Sequence, residues 1–303
     1  MGAARTLIRS TLRALGRAYP LYSGAGKIHG CFRGDRFAPR DEWVTTTLRN
    51  GARVWVNPSD FAGLYVYYTG GIDRKLLWLL KRILRTGDTF LDIGANIGIA
   101  SIYASDIVGP TGSVHAFEPQ ADLAQKIIAS AELNGYENLH AHPAGLSSKD
   151  ETVIMTMPAG DRTSASISRA CPSGESVTVE LLSAANFLPT LNLSQIRLVK
   201  IDVEGHEFTV LSSAETFFDQ CMPEAFAFES NVEQRNIPFG KRPVVAWLHE
   251  RGFKFVGVPK VLWPMRLAEM TTRMNESTEC PYEDFLAYRT DDIENSIRNY
   301  IRG

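Results

Sequence analysis

Only four cysteines occur in the 303 residues, Cys31, Cys171, Cys221 and Cys280, and no two form a C-x-x-C pair. Their scatter argues against a zinc ligand set and against a disulfide scaffold, and a reducing, cytoplasmic setting is the expectation. No apolar run approaches the ~18–20 residues that a membrane-crossing helix needs. A charge excess is missing as well. With 32 Lys/Arg against 34 Asp/Glu the net charge is -2, so no global field points to nucleic acid as a partner. Internal repeats and low-complexity tracts are absent, and a hydrophobic content of 44% supports one large domain with appendages or two small ones.

One local absence stands out. Residues 1–34 contain no Asp or Glu while carrying Arg5, Arg9, Arg13, Arg17, Lys27 and Arg33. At ~100° per residue the four arginines of residues 5–17 share one arc, opposite Leu7, Ile8, Leu12 and Leu15. The plainest expectation is a basic surface helix packing its leucines on its own domain. Peripheral contact of residues 3–18 with an anionic membrane surface, an Arg-rich transit peptide and partner docking are the alternatives. Homo-oligomerisation is left open.

Residues 43–56 (WVTTTLRNGARVWV) predict two short strands joined at Asn50-Gly51. An aromatic stretch, FAGLYVYYTGG, then leads to Asp73, which stands where an N-cap should be, before the buried helix RKLLWLLKRILR. From residue 89 strand and helix alternate, which predicts a mostly parallel sheet with helices on both faces. Strands are expected at 89–93, 113–118, 138–142, 197–202 and 224–229, with a further pair near 253–258 and 284–289. Helices are expected near 96–108, 120–134, 206–218 and 242–251. An insertion, 145–190, looks like a hairpin or lid. The division expected is an N-terminal extension over 1–72 and the main α/β domain over 73–303. Phe187, Phe226, Phe228 and the tyrosines of 65–68 read as core rather than as a pocket floor.

In such a sheet ligands bind at the carboxyl ends of the strands. The turn in FLDIGANIGIAS, residues 90–101, lacks the middle glycine of the dinucleotide fingerprint, because Asn96 stands there between Gly94 and Gly98. That disfavours a pyrophosphate and hence an NAD-dependent oxidoreductase. Asp92 at the strand tip can take a cation, and the amides at the helix start can take a carboxylate. Glu118, 24 positions after Gly94 in Phe117-Glu118-Pro119, is placed to accept hydrogen bonds from both hydroxyls of a ribose. An adenosine nucleoside carrying an amino-acid tail and a sulfonium, S-adenosylmethionine, meets these requirements.

A third stretch, Asp202-Val203-Glu204-Gly205-His206-Glu207, crowds three carboxylates and an imidazole behind an apolar strand. Asp202, Glu204 and His206 are the candidates for the transferred methyl's surroundings. His206 or Asp202 would serve as base and Glu204 would orient. Glu207 reads as helix-start chemistry. A magnesium held by Asp202, Glu204 and Glu229 is a competing arrangement, and a nucleoside-binding module without catalysis is another.

DIGANIG, HAFEP and KIDVEGHE, in this order and spacing, resemble the FkbM-type family of S-adenosylmethionine-dependent methyltransferases. NPSDFAGLYVYYTGG and YPLYSGAGKIHG extend the resemblance over residues 20–230. It implies a class I methyltransferase fold, Rossmann-like with seven strands, and O-methylation of a hydroxyl on a sugar, glycan or natural product. By motif position Asp92, Gly94, Ala95, Asn96, Gly98, Glu118, Pro119 and Gly145 would bind cofactor, and Asp202 would line the methyl site. Two departures from the family's pattern are Leu181-Leu182-Ser183-Ala184, where an acidic residue is usual, and Asp73, where Glu is usual.

Overall fold

A computed structural model describes residues 2–22, 24–31, 33–167, 174–230, 237–260, 265–274, 280 and 282–302. Cys171 and part of the loop 230–243 lie outside them. The helices are α1 (Gly2–Ala18), α2 (Gly26–Cys31), α3 (Phe61–Thr69), α4 (Arg74–Ile83), α5 (Ile99–Val108), α6 (Ala121–Asn134), α7 (Ala184–Phe187), α8 (Glu207–Ser213), α9 (Glu215–Gln220), α10 (Pro243–Glu250) and α11 (Asp291–Ile297). The first strands, β1 (Val44–Thr47) and β2 (Arg53–Val56), form the expected antiparallel hairpin, with Gly51 at φ 98°.

A nine-stranded sheet carries the rest. Its strands are β3 (Thr89–Ile93), β4 (Ser113–Phe117), β5 (Leu139–His142), β9 (Leu198–Ile201), β10 (Ala225–Glu229), β11 (Lys254–Gly257), β12 (Leu267–Glu269), β13 (Asp284–Tyr288) and β14 (Ile301–Arg302). They run in the order β5-β4-β3-β9-β10-β13-β11-β12-β14. The first five are mutually parallel, while β13 lies antiparallel between β10 and β11. Seven of these strands are the expected Rossmann-like set, and β12 and β14 extend its edge. The central strands β3, β4, β9, β10 and β13 are buried almost throughout, so they read as mainly apolar runs, whereas β5, β12 and β14 toward the edges are partly exposed. Phe90 and Leu198 join the core shared with α4–α6, and Leu91 and Val199 the core shared with α8–α10.

The insertion forms its own three-stranded sheet from β6 (Gly145–Ser147), β7 (Glu151–Met157) and β8 (Glu175–Ser183). The helix expected over 206–218 is two pieces, α8 and α9, broken at Ala214. Residues 1–72 close no core of their own. Leu12, Val54, Val66 and Tyr68 share the cluster that holds Leu80 and Ile127. The tyrosines 67 and 68 are core, as expected, and Tyr68 donates to the Gly34 carbonyl at 2.8 Å.

The orientation of α1 reverses the expectation. The C-terminal half of its arginine face packs inward: Arg13 and Arg17 donate to Thr46 Oγ1 at 3.0 and 2.8 Å, Arg17 also to the Thr47 carbonyl at 2.6 Å, and Arg13 lies 4.4 Å from the Tyr67 ring centroid. Leu12 is buried with them at 4% exposure, but Leu7, Ile8 and Leu15 are 68%, 41% and 50% exposed. The cause is the surface beneath, which offers hydroxyls, a carbonyl and an aromatic ring, good partners for guanidinium. The buried Arg74 completes the seat, donating to the carbonyls of Gly16 in the last turn of the helix and of Tyr19 and Leu21 beyond its end.

Candidate active site

The chain order switches direction between β3 and β9, and the loops beyond those two strands meet there. Gly94 and Ala95 both donate their amides to the Phe117 carbonyl, at 3.0 and 2.9 Å, and Asp202 N donates to the Ile93 carbonyl at 3.0 Å. The turn therefore lies flat across three strand tips. Gly94 sits at φ 83°, and a Cβ there would stand 2.0 Å from the Asp202 carbonyl oxygen. Asn96 takes φ 55°, and its side chain accepts from Ile97 N and donates to the Thr163 carbonyl, both at 2.8 Å. Because residues 94–98 form this turn, the helix expected from 96 starts at Ile99. At Gly98 a Cβ would stand 2.7 Å from Ile127, so its lack of one lets the turn pack against α6.

Glu118 follows β4 and is buried. One carboxylate oxygen accepts from Asn96 N at 2.8 Å and the other from Gln120 N at 2.9 Å. A carboxylate has about four acceptor positions, so it can hold the turn and still receive two hydroxyls. Burial raises its pKa to about 7, against the opposing effect of those two amides.

A cavity opens beside it. Its lining includes Gly94, Asn96, Glu118, Pro119, Gly145, Asp202, Glu204 and His206, and so gathers most of the residues that the sequence singles out. Ile93, Leu146, Met155, Ala165, Ile167 and Leu181 supply apolar wall. The insertion covers it like a strap: Gln120 donates to the Arg162 carbonyl at 2.9 Å, Asn96 holds Thr163, and Arg162 pairs with Asp122 at 2.7 Å. At 181–184, where the acidic residue is missing, Asp150 accepts from Ser183 N at 2.6 Å.

Two expected positions differ from their sequence reading. Asp92 is fully buried beneath the turn, accepting from Ser101 Oγ at 2.6 Å and paired with Lys200 at 3.2 Å, so its charge is already matched inside the protein. Ala95 borders a neighbouring cavity, with Ile72, Asp73, Leu76, Asn96, Lys200 and Asp202, where an amino-acid tail can lie. Asp73 is the N-cap, accepting from Leu76 N at 3.4 Å, and it also borders that cavity.

Lys200, to which the sequence reading gave no role, is the buried hub. Its ammonium donates to the Gly94 carbonyl at 2.5 Å and lies 3.5 Å from Asp202. Burial lowers its pKa, but the carboxylates of Asp92 and Asp202 outweigh that and raise it. Asp202 lines three cavities: the one beside Glu118, the one beside Ala95, and a third with Asp73, Lys75, Phe228, Glu229 and Asp284. Burial, reinforced by Asp202, raises Glu229 to about 7. His206 has Nε2 3.0 Å from Ser147 Oγ, and burial lowers its pKa. Glu204 sits in a tight turn at φ 53°, and Glu207 accepts from Val203 N and Gly205 N at 3.1 Å, which is helix-start chemistry as expected. Among the described residues no three His, Cys, Asp or Glu side chains converge as metal ligands, so the magnesium triad of Asp202, Glu204 and Glu229 is not assembled here.

Strand order 3-2-1-4-5-7-6 across β5 to β11, with a cavity at the switch point lined by Gly94, Asn96 and Glu118, defines the class: a methyltransferase with a Rossmann-like sheet. The chain belongs to the FkbM methyltransferase family, whose domain matches residues 92–255, and S-adenosylmethionine is its cofactor. It is similar to Methyltransferase 1 of Beauveria bassiana (strain ARSEF 2860), 29% identical over 144 residues, 41% of this chain; the match spans 57% of that relative's length. Among solved structures it is similar to an FkbM methyltransferase from Methylobacillus flagellatus KT (12% identity, TM-score 0.43, 74% of this chain and 52% of that one). It is also similar to precorrin-6y C5,15-methyltransferase from Geobacter metallireducens GS-15 (12%, TM-score 0.38, 71% and 88%). The residues fit the cofactor: a carboxylate with spare acceptor positions for ribose, apolar lining that includes Pro119, Leu146 and Leu181, and glycines where backbone must come close.

Proposed function

We propose that the chain methylates a hydroxyl oxygen of a sugar, glycan or natural product. The observation that carries this reading is the position of Asp202, which borders both the cofactor cavity and the third cavity beside Glu229. The latter combines carboxylates and lysines with the apolar walls of Leu76, Leu79, Phe228, Val258 and Phe285, a mixture suited to a polyhydroxylated molecule with apolar ring faces. Bound S-adenosylmethionine supplies an electrophilic methyl on a sulfonium. The acceptor's O–CH3 bond forms as the S–CH3 bond breaks, and the hydroxyl proton must leave.

Asp202 is the side chain placed to take that proton, with Lys200 balancing its charge. Glu229, whose pKa of about 7 matches neutral operation, holds the proton next. Positioning the acceptor about 3 Å from the methyl is the larger contribution, because no charge has to be created. His206 is the alternative base, since its lowered pKa leaves it neutral at pH 7. The test is incubation with methyl-labelled donor and a panel of sugars, glycans and natural products, read by mass spectrometry. Gain of one methylene on oxygen supports the proposal; label found on nitrogen or carbon, with none on oxygen, overturns it.

A further inference from the structure

The inward packing of arginines leaves α1 with an unusual outer surface. Ala4, Leu7, Ile8, Thr11, Ala14 and Leu15 fall on one arc of the helix, all are exposed, and none is charged. A stripe of this kind facing water on a helix ~25 Å long is a cost unless something covers it.

Charge indicates the cover. With Arg13 and Arg17 turned inward, residues 1–42 still expose five cations, Arg5, Lys27, Arg33, Arg36 and Arg40, against three carboxylates, Asp35, Asp41 and Glu42, whereas the whole chain carries 32 Lys/Arg against 34 Asp/Glu. Arg5 donates to the Arg36 carbonyl at 2.7 Å, which ties that basic segment to the helix. A protein interface typically draws on ~20 residues a side, far more than this stripe presents. A bilayer surface needs only a shallow apolar insertion with cations at headgroup level. Among the described residues no helix is long and apolar enough to cross a membrane.

We propose that the Leu7–Ile8–Leu15 face of α1 beds into the interfacial layer of an anionic lipid membrane. The C-terminal half of the arginine face, which in a free amphipathic peptide would point to water, is the anchor to the protein. The helix therefore has two occupied faces, one for the domain and one for lipid.

Co-sedimentation with vesicles of phosphatidylcholine mixed with phosphatidylglycerol, compared with phosphatidylcholine alone, tests this on the full chain. The wild type should sediment with the anionic vesicles and be released by added salt. The double variant Leu7→Ser/Leu15→Ser should partition on the order of 10- to 100-fold more weakly, from the apolar area lost. Its affinity for S-adenosylhomocysteine should be unchanged, which shows that the fold is intact. The proposal fails if the wild type stays in the supernatant with both vesicle types, or if the double variant partitions as the wild type does. It also fails if light scattering shows a wild-type multimer that the double variant breaks to monomers, because the stripe is then a protein interface.

Discussion

The ammonium of Lys200 stands 3.2 Å from the fully buried carboxylate of Asp92, directly beneath the glycine turn of residues 94–98. This pair converts a carboxylate at a strand tip into a support for the turn. From it Lys200 reaches the Gly94 carbonyl and Asp202, so one cation fixes that turn and a carboxylate of the candidate methyl site.

Replacing Lys200 by Met should destabilise the protein by about 3–5 kcal/mol, because the Asp92 charge is left buried and unpaired. Adding Asp92→Asn should recover a large part of that loss. Denaturant unfolding of the single and double variants reads both; equal stability of Lys200→Met and wild type would show that the pair is not holding the turn.

Glu118 has a pKa raised to about 7 from an ordinary 4.5. For a raised acid the stability it contributes is fully present below the unfolded value and is lost as pH rises through the folded one. Cofactor affinity should run the other way. The ionised form is the better acceptor for ribose hydroxyls, so binding tightens as pH rises through about 7. Titration calorimetry should find this slope in the wild type and not in Glu118→Gln, while Glu118→Ala weakens binding by about 1–3 kcal/mol.

Gly94→Ala should abolish cofactor binding and cost more than about 2 kcal/mol of stability, through positive φ and the backbone clash with Asp202. Gly135, also at positive φ but with open space around its Cβ position, is the control: its alanine variant should bind cofactor normally.

Asp202→Asn should lower kcat by roughly 100- to 10,000-fold, the range of a lost general base. Glu229→Gln should flatten the pH–rate profile near 7. If instead His206→Asn produces the larger loss, the base assignment moves to the imidazole.

Much of this fold is legible in the sequence because its strands are buried on both faces and separated by glycine-marked turns. Strands 89–93 and 113–117 and helix 121–134 follow from apolar runs and from Gly135, which closes the helix at φ 68°. The lining of the cavity beside Glu118 is legible for the same reason, since Gly94, Asn96 and Glu118 mark places where backbone geometry restricts residue choice. What the sequence conceals depends on partners far along the chain. Periodicity divides α1 into two faces, but only the hydroxyls of β1 and the ring of Tyr67 decide that Arg13 and Arg17 turn inward. Lys200 within an apolar strand looks incidental until Asp92 is beside it. Asp202 likewise gains its role from Glu229 and Asp284, which two other strands deliver to the same cavity.

A crystal structure of the complex with S-adenosylhomocysteine tests the central claim most directly. The account predicts the ribose hydroxyls on Glu118, adenine against the apolar lining of Pro119, Leu146 and Leu181, and the sulfur beside Asp202. A ligand whose ribose points away from Glu118, or a cavity left empty at saturating ligand, would contradict it.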